Sequence, residues 1–145
     1  MLITRSFLFF LLLFYSTTCF LQLNFPSKNV QLKAFFPTDS LQVPTELSDI
    51  WGWVDSLGNE YAIVGTNEGT SIFDLSDPTN PTEIFFEQGM NSIWRDIKTF
   101  GNYAYVTTEA DAGLLIVDLT DMSGATYWHV SNFTNPTTGA SVEFT

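Results

Sequence analysis

Gly69-Thr-Ser-Ile-Phe-Asp-Leu-Ser-Asp-Pro-Thr-Asn-Pro81 and Gly113-Leu-Leu-Ile-Val-Asp-Leu-Thr-Asp-Met-Ser-Gly124 are two versions of one phrase. Each sets a glycine, an apolar run, an aspartate, a leucine, a hydroxyl residue and a second aspartate in the same order. Gly69 to Gly113 and Asp77 to Asp121 keep one offset of 44 residues (113 − 69 and 121 − 77). The text upstream repeats as well: Gly58-Asn-Glu-Tyr-Ala-Ile-Val-Gly-Thr66 is echoed by Gly101-Asn-Tyr-Ala-Tyr-Val-Thr-Thr108. A period near ~40–45 residues is that of a four-stranded propeller blade.

Strand character is argued separately, because some helical repeats share that period. The runs 49–55, 60–66, 70–76 and 83–87 form the first set, and 93–100, 103–109, 114–120 and 125–130 the second. All are short and rich in Val, Ile, Thr, Tyr, Phe and Trp. Gly58-Asn59 and Gly101-Asn102 are expected to supply the positive φ of tight hairpins. Gly69 and Gly113 are expected to close a second turn. Asp77-Pro-Thr-Asn-Pro81 excludes both a helix and a central strand. No long 3.6-residue period follows residue 20. The fold class is therefore all-β, with about two four-stranded blades of an incomplete β-propeller after an N-terminal signal segment.

The domain reading is a signal peptide over 1–19, a leader over 20–47 and a partial propeller over 48–145. The blades fall at about 48–88 and 92–131, with the start of a further strand at 140–145. Met1–Cys19 has one basic residue, Arg5, then an apolar run from Phe7 to Tyr15 and small residues from Ser16 to Thr18. That is the order of a secretory signal, and the run is shorter than the ~20 residues of a spanning helix. The expected location is secreted or cell-surface, with no membrane span in the mature chain. Cys19, the only cysteine, is read as a small residue at the cleavage site; lipidation there is the sharper alternative. No disulfide forms within the mature chain.

Among 145 residues, 16 are acidic and 5 basic, for a net charge of −11. Such a surface repels phosphate backbones and anionic lipids, which argues against nucleic acid and leaves cations and neutral ligands such as sugars. Asp74 and Asp118 break their apolar runs at the same place and are expected to accept hydrogen bonds from the following turn. Leu75 and Leu119 are then expected back in the core. His129, the only histidine, stands in Tyr-Trp-His-Val and is read as a packed or half-exposed strand residue. Ser123 and Asp121 lie near it in sequence but without a nucleophile elbow. One His and one Cys do not build a zinc site. The acidic turns 74–77 and 109–113 lack the spacing of a calcium loop. Hence the expectation is no catalytic residues, no metal site, no cofactor and no enzyme. Trp51 and Trp53 share one strand face and, like Trp94, are expected to fill space between blades, with sugar stacking as the alternative. Arg95 and Lys98 are expected to pair with Asp96 or with a neighbouring blade. Asn132-Phe133-Thr134 fits the glycosylation sequon.

The segment 114–118, Leu-Leu-Ile-Val-Asp, resembles the motif of LVIVD-repeat proteins, with Leu at the second position; 70–74, Thr-Ser-Ile-Phe-Asp, departs further. The strings around Asp49–Trp53, Tyr61–Gly65, Asp77–Pro81, Trp94–Thr99 and Asn102–Thr107 resemble the bacterial choice-of-anchor B group. That resemblance implies an exported propeller whose relatives end in surface-anchoring or secretion signals. It carries no catalytic residue over. Propellers hold ~4–8 blades, so two blades read as a truncation or fragment. Open edges then invite self-association. The expected function is a non-catalytic module binding a protein or glycan at the surface. The alternative is part of an extracellular hydrolase or lyase whose catalytic residues lie in other blades.

Overall fold

The structure is a computed structural model that describes residues 28–120, 122 and 127–144. The signal segment, Cys19, Asp121 and Ser123 lie outside the described residues. The chain divides into two compact units, Met1–Leu32 and Lys33–Thr145. In the first, the described residues 28–32 are exposed and carry no regular structure. The second holds every strand found among the described residues.

Strands β1 (Leu47–Val54), β2 (Glu60–Thr66), β3 (Gly69–Asp74) and β4 (Thr82–Gln88) form one antiparallel sheet in chain order. Strands β5 (Arg95–Phe100), β6 (Tyr103–Thr108), β7 (Leu114–Asp118) and β8 (Tyr127–Val130) form a second sheet of the same order. The protein is all-β, with propeller-type four-stranded repeats. Among the described residues the only helical turn is a 3-10 turn at Thr38–Ser40. None of the described helices is long and apolar enough to cross a membrane.

The repeated phrase explains where the strands begin and end. A Cβ on Gly69 would lie well inside 3.0 Å of the Glu87 carbonyl oxygen. On Gly113 it would lie 2.6 Å from the Val130 carbonyl oxygen. Both carbonyls belong to the fourth strand of their sheet, so the repeated glycine admits the backbone of β4 or β8. Gly113 also has φ +71, whereas Gly69 needs only the space. At the other end, Asp74 Oδ1 accepts from the Ser76 N–H at 2.7 Å and the Ser76 hydroxyl at 2.6 Å. Asp118 Oδ1 accepts from the Thr120 N–H at 2.9 Å and the Thr120 hydroxyl at 2.6 Å. These bonds turn the chain, so β3 and β7 stop at the aspartates rather than at 76 and 120. In the hairpins, Gly58 and Gly101 take positive φ; Asn59 and Asn102 do not.

Between the sheets, Tyr61, Ile63, Ile72 and Phe85 meet Ile97, Ala104, Val106, Leu115, Val117 and Leu119 in one buried cluster. β1 packs along β5. The opposite face of the first sheet bears a smaller cluster of Leu41, Ala62, Val64 and Phe73, with Phe36 and Leu75 against it. Leu41 and Phe36 come from a strap ahead of β1, and the Phe36 and Phe73 rings meet edge to face at 4.9 Å. Glu83 fastens the strap: it accepts from the Gln42 N–H at 2.6 Å and from the Ser71 hydroxyl at 2.7 Å. Leu119 is buried and Leu75 partly so. Ser141–Glu143 (β10) pairs with Asn132–Thr134 (β9) in an exposed hairpin outside both sheets.

Candidate functional site

Where the first strands of the sheets run together, a cleft of about 770 Å³ opens. Its walls are the start of β1, the segment into β5, and the end of β6. Strand alternation decides which side chains reach it. The backbone N–H of Ile97 donates to Asp49 Oδ2 at 2.9 Å, tying β1 to β5. Asp96, the preceding residue, points to the other face and holds Lys98 Nζ at 2.7 Å. That bond holds the Asp96 carboxyl below its ordinary value, against the opposing push of desolvation. Glu46, Asp49, Asp96 and Glu109 give the cleft an acidic lining.

Trp94 supplies the apolar surface. The run 93–100 does not enter the strand until Arg95, because the Trp94 N–H donates to the Ser92 hydroxyl at 3.1 Å. The same hydroxyl donates to the Trp94 carbonyl at 3.0 Å. This local turn leaves Ile93 and Trp94 outside the ladder, and Trp94 is 60% exposed. The expectation that Trp94 fills space between blades is therefore corrected: it stands at the cleft.

Trp51 and Trp53 do lie between the sheets, partly buried against the main core. The Trp51 indole N–H donates to the Thr99 hydroxyl at 2.9 Å, and that of Trp53 to the Gly101 carbonyl at 3.1 Å. Lys98 Nζ sits 4.4 Å from the centre of the Trp51 ring. The two indoles are thus latches across the interface rather than a sugar platform.

Arg95 overturns its expected ion pair. It is 7% exposed, and its guanidinium donates to backbone carbonyls: Thr66 O at 2.6 Å, Asn67 O at 3.5 Å, and Met90 O. Successive strand residues face opposite ways, so Arg95 turns inward while Asp96 turns out. Burial lowers the Arg95 guanidinium from its ordinary value, with the Glu68 carboxylate acting in the other direction. The sequence carried no sign of this beyond strand parity. Lys98, by contrast, makes the expected pair with Asp96.

His129 is on β8 with its side chain 43% exposed; Nε2 lies 3.3 Å from Glu87 Oε1, and Tyr127 meets the ring edge-on. The Tyr127 hydroxyl is raised above its ordinary value by its hydrogen bond to Glu87 and by that charge. Among the described residues no three His, Cys, Asp or Glu side chains group closely enough to hold a metal ion. The carboxylates of Asp74 and Asp77 hold their turns; Asp77 Oδ1 accepts from the Thr79 N–H at 2.9 Å and its hydroxyl at 2.6 Å. The sequon asparagine, Asn132, is on exposed β9.

A family model described as the LVIVD repeat matches residues 56–86 and 94–143, more than half of the chain. The first match covers β2, β3 and most of β4; the second runs from β5 to β10. No curated protein and no solved structure matches the chain.

Proposed function

The chain belongs to the LVIVD repeat family, and from that premise we propose that it is an exported, non-catalytic repeat protein that binds neutral glycans outside the cell. The observation that carries this reading is the cleft at β1 and β5. An exposed indole supplies an apolar plate of the kind that sugar rings stack on. The carboxylates of Glu46, Asp49, Asp96 and Glu109 around it are acceptors for hydroxyl groups. A net charge of −11 disfavours acidic glycans and leaves neutral ones. The N-terminal order of Arg5, apolar run and small residues supports export.

Two measurements test it. The chain is screened on an array of neutral and acidic oligosaccharides, with Trp94→Ala beside it. Retention on neutral glycans that Trp94→Ala abolishes supports the reading; no retention, or retention indifferent to Trp94, refutes it. Export is tested by mass spectrometry of the medium and cell-surface fractions, where a chain lacking roughly its first 19 residues is expected. A full-length chain confined to the cell interior refutes that part.

A further inference from the structure

The two sheets repeat each other by register, and the repeat defines two kinds of face. In the first sheet Trp53 stands opposite Tyr61 and Tyr61 opposite Asp74; in the second Phe100, Tyr103 and Asp118 take those places. Likewise Ile63, Ile72 and Phe85 correspond to Tyr105, Ile116 and Trp128. In the first sheet this row is buried against its neighbour. In the second it is the outer face: Phe100 is 81% exposed, and Tyr103 and Trp128 are exposed too. On the opposite side, Ala62, Val64 and Phe73 correspond to Ala104, Val106 and Val117. The inter-sheet contact is therefore heterologous, the aromatic row of one sheet against the Ala/Val row of the next.

Among the described residues, one face of each kind has no sheet packed against it. The aromatic row of the second sheet is open. The Ala/Val row of the first lies under the strap, and the strap covers it incompletely. Ile50 is 65% exposed, whereas Ile97 at the corresponding register position is fully buried. A space of about 220 Å³ remains beneath, lined by Phe36, Leu41, Leu47, Ile50 and Val64 among others. A packed sheet fills such a face; a single irregular segment does not.

We propose that residues 34–41 are a displaceable cap, and that when it lifts, the first sheet accepts the open aromatic row of a second copy of this chain, head to tail. The interface inside the chain is the template for the contact between copies. Asp96 then stands where Asp49 stands, at the register position from which Asp49 accepts the Ile97 N–H. The corresponding donor is the Ile50 N–H of the receiving copy. This proposal does not rest on glycan binding, although the two share Asp96.

The test uses the full chain and light scattering across a range of concentrations. The wild type is expected to stay monomeric, since its cap is closed. Phe36→Asp with Leu41→Asp is expected to give masses at whole multiples of the monomer that rise with concentration. Adding Tyr105→Asp and Ile116→Asp, which spoil the aromatic row, is expected to restore the monomer. That four-site variant keeps an open acceptor, so mixed with the Phe36/Leu41 variant it is expected to terminate the growing series, shifting mass toward dimers. A wild type that already assembles, a cap variant that stays monomeric, assembly that survives the aromatic-row changes, or a mixture without shortened species overturns the proposal. So does a cap variant that circular dichroism shows to be unfolded, because the strap is then a fixed part of the core.

Discussion

Replacing Gly69 by alanine tests the reason the opening phrase begins with glycine. The new Cβ would sit well inside 3.0 Å of the Glu87 carbonyl oxygen and 2.9 Å from two Phe86 ring carbons. The carbonyl is backbone and cannot rotate aside, so β4 must move away from β3 at the Gly69–Gln88 pair. Overpacking of this kind costs about 1–3 kcal/mol. Gly69 also exchanges hydrogen bonds with the buried Thr66 hydroxyl, its N–H donating at 2.9 Å and its carbonyl accepting at 3.2 Å. Losing one adds about 1 kcal/mol, and alanine's better strand propensity returns about 0.5–1 kcal/mol. The net expectation is a loss of about 2 kcal/mol. The control is Gly52→Ala in the same sheet, where a Cβ meets nothing within 4 Å; it should gain about 0.5 kcal/mol. Urea melts followed by circular dichroism give both, and at a slope of about 2 kcal/mol/M the Gly69 variant shifts its midpoint down by about 1 M. A Gly69→Ala midpoint within about 0.3 M of wild type, or below which Gly52→Ala falls, refutes close approach as the cause.

Trp51→Phe keeps the aromatic body but removes the donor to Thr99 and weakens the Lys98 contact; a loss of about 1–2 kcal/mol is expected in the same urea assay. Thr70 is fully buried and its hydroxyl has no partner among the described residues, so Thr70→Val is expected to be neutral or to stabilise by about 1 kcal/mol. A clear loss there would show that the hydroxyl does have a partner. The Asp74 carboxyl is held below its ordinary value by hydrogen bonds from the Ser76 hydroxyl and N–H. Its stabilisation is present above the unfolded-state value and lost as pH falls through the lower folded value. The melting-temperature difference between wild type and Asp74→Asn should therefore shrink between about pH 6 and pH 2.5, and a constant difference would contradict the assignment.

Much of the fold was legible in the sequence because its sheets are meanders. Each strand pairs with its chain neighbour, so local signals at Gly101-Asn102, Asp74 and Asp118 are enough to place hairpins and strand ends. That Trp51 and Trp53 share a face follows from parity, and that it is the inner face follows from the packing of the two sheets. What was not legible depends on contacts far along the chain. Nothing in Ala34–Leu41 shows a strand period, so its place over Val64 and Phe73 is a tertiary fact. Arg95 sits beside an aspartate in sequence, and only the face it takes in the sheet shows that it binds carbonyls instead. Trp94 was read as part of a strand because its composition suits one, and the Ser92 hydroxyl overrides that preference. β9 went unread because Asn132–Thr134 is three residues long.

The strap also bears on the order of events as the chain is made. Residues 34–41 leave the ribosome before any part of the sheet they cover. When β2 and β3 first pair, the surface of Ala62, Val64 and Phe73 would otherwise face solvent. A cover synthesised in advance shields this face of the newborn first sheet while the opposite face still waits for the second sheet, and nascent chains are most exposed to mispairing with one another in that interval.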